Sequence, residues 1–427
     1  FIYAFLGFVL SVFILFIFWY LKLIFFYLVL SIIKNRFFHL DKLVIRLILY
    51  FIVSIFYSIY YLFIEFIQYN LKDLDMSFAM TYFTQSSNYF FFLFFNINPF
   101  LVTFIFIFLV TFFSFIFFEL YYQFTYFQND KNNYNNYQSL NLKRKFYYII
   151  SLFLIFYLII LFFNFIYFKD NQKLLSLEKK LIKNKMEFIL IQTNIDSYFN
   201  KFNQRNYEQL FEKLKKIDID NTKDQIIFIP EGALVKNYDT LFYLENSINI
   251  KLINIFKNYP FNYFIFNTIS VDNNRNLYNS LILLDKKNRS FSFYLKRYLV
   301  PFGEYYPNWF LKFFKNLNIE NLKYKSYSSG FVFNNNNNNF RIKNIGFKVL
   351  ICFESFKYEK KEKGIDFILL SSNDMWFKNL FMDSLHLKSA KILSIYNLLP
   401  VIFNSNGNEN GVIFIFNFKK LKNIKII

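Results

Sequence analysis

The chain of 427 residues has a single cysteine, Cys352, in the setting KVLICFES, directly after the apolar run 349–351. A thiol that leaves a buried strand at a turn, with backbone N–H groups nearby, is a candidate nucleophile. Glu231 has a similar setting after the run 226–230 in IIFIPEGA, where the proline before it takes the chain out of regular structure. A carboxylate there, tuned by burial, suits a general base. Lys296 lies in FYLKRYLVPFGE. An ammonium held near the thiol would lower its pKa and stabilise the oxyanion of a tetrahedral intermediate. Taken one at a time, the three have ordinary explanations as a small core residue, a loop acid and a surface lysine. Their common position at strand ends, where α/β proteins gather their chemistry, makes them a set.

The elements that must position them are short apolar runs alternating with amphipathic stretches. Strands are predicted at 188–192, 226–229, 264–267, 281–284, 291–295, 347–351, 367–370 and 412–416, with a further run at 247–257 and helices at 204–217 and 380–397. So many strands interleaved with helices predict a layered α/β sandwich from residue 187 to 427, preceded by a linker over 169–186.

Residues 1–168 read differently. Stretches 1–33, 43–67, 100–118 and 146–168 are apolar and long enough to cross a hydrocarbon core of about 30 Å as helices. Residues 88–99, interrupted by Asn96, Asn98 and Pro99, read as a re-entrant or interfacial segment. The loop 34–46 carries Lys34, Arg36, Lys42 and Arg46, and the loop 121–145 carries Lys131, Lys143, Arg144 and Lys145. Loop 68–87 has only Lys72 against Asp73 and Asp75. By the positive-inside rule the first two are cytoplasmic, which puts everything after residue 168 outside the cytoplasm. Glu65, near the end of the second span, is either an intramembrane functional carboxylate or an interfacial one.

Composition adds few constraints. The 68 Phe and 34 Tyr against 8 Gly and 6 Pro, together with abundant Asn, Ile and Lys, reflect AT-rich codons and carry no functional weight. The run 334–339, all asparagine, reads as a solvated loop. A net charge of +20 suggests an anionic neighbour. The lysines are scattered and no nucleic-acid motif accompanies them, so a membrane surface fits better than nucleic acid. One cysteine excludes an intramolecular disulfide and a multi-cysteine metal site; no metal or cofactor is expected.

In order, the segments PEGA, LKRYLVPFGE and ICFES resemble the carbon–nitrogen hydrolase (nitrilase) superfamily. LVPFGE at 299–304, SNDMWF at 372–377 and the spans ahead of the domain are similar to the apolipoprotein N-acyltransferase family. ILIQTNI at 189–195, Tyr278–Asn279, and His386 with Pro400 fit the same pattern. The resemblance implies an αββα sandwich and a bacterial inner-membrane enzyme, acting as a monomer with its catalytic domain on the periplasmic side. Such an enzyme takes an acyl chain from a phospholipid, usually phosphatidylethanolamine, and delivers it to the α-amine of an S-diacylglyceryl cysteine on a lipoprotein. It also implies a Glu231–Lys296–Cys352 triad working through a thioester. Glu304 and Glu354 would support it, Asn279 would order it, and Phe202 and Trp376 would line it. A membrane-tethered amidase using the same triad, with water as acceptor, is the second reading, and a non-catalytic membrane scaffold the third.

Several positions depart from the family. Phe353 replaces a tyrosine, Gly232 a small hydroxyl residue, Lys378 a glycine, and Tyr396 and Leu399 an ion pair. The sequence starts at Phe1 within an apolar stretch and reaches Ile427 without a closing apolar span, which reads as a fragment or a reduced protein.

Overall fold

The computed structural model describes residues 43–70, 107–116, 172–193, 204–234, 242–243, 256–300, 304–305, 339–357, 362–377, 385–407, 410–414, 417–419 and 421–427, with 24, 28, 31, 104, 331, 332 and 334 besides. The chain divides into two compact units, Phe1–Lys169 and Asp170–Ile427.

In the first unit the second expected span is seen as helix α1 (Leu43–Asn70), 28 residues long. Ser58 and Thr111 turn their hydroxyls back to carbonyls one helical turn earlier, so these polar groups are satisfied within their own helices. Tyr50 stacks on Phe115 at 5.2 Å and Phe51 meets Phe108 edge-on. Among the described residues no helix is long and apolar enough to cross a membrane. Within α1 the stretch with continuously described side chains, 49–61, is itself too short, at about 1.5 Å per residue. The spans at 1–33 and 146–168 lie largely or wholly outside the described residues, as do most of the loops that set orientation, while 104 and 107–116 of the span 100–118 are described and helical.

The second unit has the layered α/β architecture that its alternating runs predict. Residues 169–186, expected as a linker, instead contain helix α2 (Gln172–Lys183), whose Leu174, Leu177 and Leu181 are buried. It leads into β1 (Met186–Leu190); α3 (Gln204–Lys215), β2 (Asp224–Phe228), β3 (Phe242–Tyr243), β4 (Tyr263–Val271), β5 (Leu277–Asp285) and β6 (Ser290–Leu295) follow. Then come β7 (Phe340–Ile342), β8 (Ile345–Ile351), β9 (Phe367–Ser372), α4 (Leu385–Asn397), β10 (Val401–Ser405), β11 (Gly411–Phe414), β12 (Asn417–Lys419) and β13 (Ile424–Ile426). One sheet runs β13-β1-β2-β4-β5-β6, with β3 beside β4, and the other runs β12-β11-β10-β9-β8-β7.

Burial explains the layering. Every residue of β1, β8, β9 and β10 is buried, as largely apolar strands covered on both faces must be. The inner faces of the sheets meet where the Phe188 ring packs edge-on against Phe347 and Phe367. Outside the first sheet, Leu210 and Leu214 of α3 pack with Ile189, Ile227, Phe264 and Phe266. On the other side, Leu387, Ala390 and Leu393 of α4 pack with Leu350, Ile368 and Leu370. The order is helix, sheet, sheet, helix. Leu399, where the family pattern has a charged residue, is buried in this last cluster, so packing occupies that position.

Five strands have no counterpart among the runs read from sequence: the short β3, β7 and β12, and β10 and β13. β10 lies at the centre of the second sheet, parallel to β9. β13 pairs with β1 at the edge of the first.

Candidate active site

Glu231 lies just past β2, Lys296 just past β6 and Cys352 just past β8. β4 is parallel to β2, and two antiparallel steps carry the sheet through β5 to β6, so β2 and β6 end on the same rim. The second sheet joins at that rim: Glu231 N–H donates to Ser371 Oγ at 2.8 Å, and Thr193 Oγ1 lies 3.0 Å from Asn406 Oδ1.

Lys296 is 1% exposed and donates from Nζ to Glu304 Oε1 at 2.9 Å, with Glu231 Oε1 at 3.9 Å. Burial alone would lower its pKa. The carboxylates of Glu304 and Glu231, with Cys352 beyond them, outweigh burial and hold the ammonium pKa above its usual value. Asn279 on β5 orders the group, donating from Nδ2 to Glu231 Oε1 at 2.9 Å and to Glu304 Oε1 at 2.7 Å. Its Oδ1 is fixed by Asn267 Nδ2 at 2.7 Å, which leaves the amide one orientation. Glu304 Oε2 accepts from Val300 N–H at 2.8 Å, so this carboxylate also pins its own loop.

Glu231 is 8% exposed. Burial raises its pKa against the pull of Lys296, which moves the carboxylate toward the range of a useful base. Its Oε2 is buried and, among the described residues, has no hydrogen-bond partner. An orphaned carboxylate oxygen beside a positioned ammonium is the acceptor that a substrate proton would need.

Cys352 begins a 3-10 turn, Cys352–Phe356, with φ +50°. That is the left-handed region, costly for a residue with a Cβ and found where function holds the backbone there. Glu354 braces the turn. It is fully buried and accepts from Ile351 N–H and Tyr294 OH at 2.8 Å each and from Arg297 N–H at 2.7 Å. It therefore ties the residue after Lys296 to the strand before Cys352. Burial raises its pKa to about 7 against those backbone hydrogen bonds.

Burial, then Glu231, pushes the Cys352 thiol up; His386 and Lys296 pull it down. His386 was singled out in the sequence only for its spacing to Pro400. Its Nε2 lies 3.4 Å from Cys352 Sγ, and its Nδ1 lies 2.5 Å from Asp374 Oδ1. Spacing gave no sign of these contacts, because they depend on how β9, its following turn and α4 pack.

The structure thus brings Glu231, Lys296, Asn279 and Glu304 into one hydrogen-bonded group, and Glu354 braces the turn that carries Cys352. Trp376 lies on the 3-10 turn Asp374–Phe377, its side chain outside the described residues, as are Phe202 and Lys378. Gly232 has φ +79°, and a Cβ there would come within 2.3 Å of Asn373 Nδ2. The departure to glycine therefore matches a local conformation that excludes the hydroxyl residue. Among the described residues no three His, Cys, Asp or Glu side chains converge as a metal site would require.

No protein-family model matches the chain. Among curated proteins, the apolipoprotein N-acyltransferase of Aquifex aeolicus is 29% identical over 210 residues, covering 48% of this chain and 44% of that protein. The protein of the same name from Borreliella burgdorferi is 23% identical over 264 residues, covering 59% and 50%. The chain spans about half the length of these relatives. Among solved structures, a CN-hydrolase superfamily protein of Xanthomonas campestris matches with a TM-score of 0.34 and 12% identity, covering 55% of this chain and 84% of that one. The resemblance drawn from PEGA, LKRYLVPFGE and ICFES is met by these partial-length matches: about half of this chain is similar in sequence to curated apolipoprotein N-acyltransferases.

Proposed function

We propose that this chain is an N-acyltransferase of a bacterial inner membrane that modifies lipoproteins. The observation that carries the reading is the buried Lys296 ammonium between Glu304 and Glu231, on the rim where Cys352 leaves β8. Apolar stretches ahead of the second unit, and relatives named apolipoprotein N-acyltransferase, support a membrane setting and this acyl chemistry.

In the proposed reaction the Cys352 thiolate attacks the ester carbonyl of a phospholipid, with phosphatidylethanolamine the expected donor. The carbonyl π pair moves to oxygen, and Lys296 holds that oxyanion in a site shielded from water. Collapse expels the lysophospholipid alkoxide, which takes up the proton that the Cys352 thiol gave up, and leaves an S-acyl thioester. The α-amine of a diacylglyceryl cysteine then attacks the thioester. Glu231 is the general base here: it accepts the amine proton and returns it to the departing Cys352 thiolate. Two half-reactions through one covalent intermediate give ping-pong kinetics.

The test supplies membranes containing the chain with phosphatidylethanolamine labelled in its acyl chain. A hydroxylamine-sensitive label on the protein, absent from Cys352→Ala and passed to a diacylated lipopeptide, is the expected result. No label on the wild type sinks the reading, and release of the label only to water makes the chain a hydrolase.

A further inference from the structure

Besides the Glu231–Lys296 group, Cys352 has a second ionisable neighbour in direct contact. His386 Nε2 is 3.4 Å from its sulfur. The far side of the ring is built as a support: Asp374 Oδ1 lies 2.5 Å from Nδ1 and also accepts from Ser372 Oγ at 3.0 Å, while Asp374 Oδ2 accepts from Ser405 Oγ at 2.7 Å. Ser372 and Ser405 close β9 and β10, so two strand ends fix the carboxylate that fixes the imidazole. The Phe356 ring lies against His386, its centroid 5.4 Å away, and His386 is 3% exposed. A ring held on three sides, with its free nitrogen at a thiol, has the geometry of a proton-sharing pair.

We propose that His386 is a further catalytic residue, whose Nε2 shares the Cys352 proton, and that Asp374 is the positioning residue that holds it to the task. The inference rests on Cys352 being the nucleophile of the reaction proposed above. In the first half-reaction the thiol proton passes to Nε2 as the S–C bond forms and the carbonyl electrons move to oxygen. As the ester C–O bond breaks, the departing alkoxide takes that proton from Nε2, and the imidazole returns neutral. In the second half-reaction Glu231 takes the amine proton on its orphaned oxygen and returns it to the departing Cys352 sulfur, so each half-reaction has its own base and the thiol is restored.

The charged groups around the sulfur favour such a division. Glu231 after β2 opposes a thiolate, and Lys296 after β6 and His386 on α4 favour one. Glu304 is engaged with Lys296, and Glu354, on the turn of Cys352 itself, is saturated by backbone N–H groups and Tyr294. Burial works against an imidazolium, but Cys352 and Asp374 outweigh it and raise the His386 pKa.

The test alkylates the full chain in detergent with iodoacetamide between pH 5 and 9, without lipid, and follows free thiol by mass spectrometry. In His386→Asn the midpoint of the rate profile is expected to rise by about one unit or more, with alkylation near neutral pH slowed about tenfold. Asp374→Asn is expected to move it the same way by less, and it decides the question if His386→Asn does not fold. A histidine that only fills space would alter the melting temperature and leave the midpoint in place. That result overturns the proposal. Because no acyl donor is present, a shifted profile without any lipid-derived thioester would sink the acyl-transfer reading and leave the Cys–His pair standing.

Discussion

The two sheets equip the same rim in different ways. From the first sheet come Glu231, Asn279 and Lys296, closed with Glu304 into a group whose members bind one another at 2.7 to 2.9 Å apart from the 3.9 Å Lys296–Glu231 approach. From the second come Cys352 and Asp374, carried on turns, and His386, carried on α4, with the thiol on a left-handed backbone and one 3.4 Å contact. The first side stores fixed charge. The second presents a reactive atom whose proton can move, so damage to the first should cost stability and rate together, and damage to the second mainly rate.

Lys296→Met is the strongest way to break this contrast. It leaves two buried carboxylates without their cation, at a cost of about 3–5 kcal/mol, and removes the oxyanion partner, worth about 10²–10³ in rate. Thermal unfolding and thioester formation measured on one preparation check both, and an unchanged melting temperature would deny that the group stores charge.

Glu354 gives a pH-dependent form of the comparison. Its folded pKa, about 7, lies above the 4.5 of a free glutamate, so the folded chain keeps a proton that the unfolded chain has lost. Its contribution is complete below about pH 4.5 and is lost as pH rises through 7, on the order of 3 kcal/mol over that window. Glu354→Gln should flatten the fall in unfolding free energy between pH 5 and 7, and an unaltered slope would refute the assignment.

Glu304→Gln keeps the shape but removes the nearer counter-charge of Lys296, and should cost about 1–3 kcal/mol with a smaller loss of rate than Lys296→Met. Gly232→Ser should cost about 1–2 kcal/mol in strain alone. Pairing it with Asn373→Ala should recover part of that cost in a double-mutant cycle, and simple additivity would show that the two do not touch.

Much of this rim was legible in the sequence because its signals are local. A buried parallel strand writes itself as an apolar run, and Glu231 and Cys352 stand where two such runs stop, while Lys296 follows β6, an antiparallel edge strand read from the aromatic run 291–295. Glu304 and Asn279 were legible through motif resemblance, though their shared bond to one another was not. β10 escaped because its apolar part is only Val401–Phe403 before Asn404 and Ser405, which look like a loop in sequence. In the fold those polar side chains are buried and hydrogen-bonded, with Asn404 Nδ2 donating across the sandwich to Phe228 O at 2.7 Å and Ser405 Oγ donating to Asp374 Oδ2. The pairing of His386 with Cys352 was illegible for a related reason. It is a product of tertiary packing between a turn and a helix, and single-sequence periodicity carries no information about it.

The position of β13 bears on how the protein is made. Phe188 pairs with Ile226 on one side and with Ile424 on the other. During synthesis at about 5–20 residues per second, β1 can meet β2 early but waits on the order of ten seconds or more for its second neighbour to emerge. Throughout that interval the nascent chain displays an open apolar edge, the kind of template that recruits stray strands. The gap belongs to translation and to whatever shields the emerging chain, and it sets a kinetic hazard that the finished fold no longer shows.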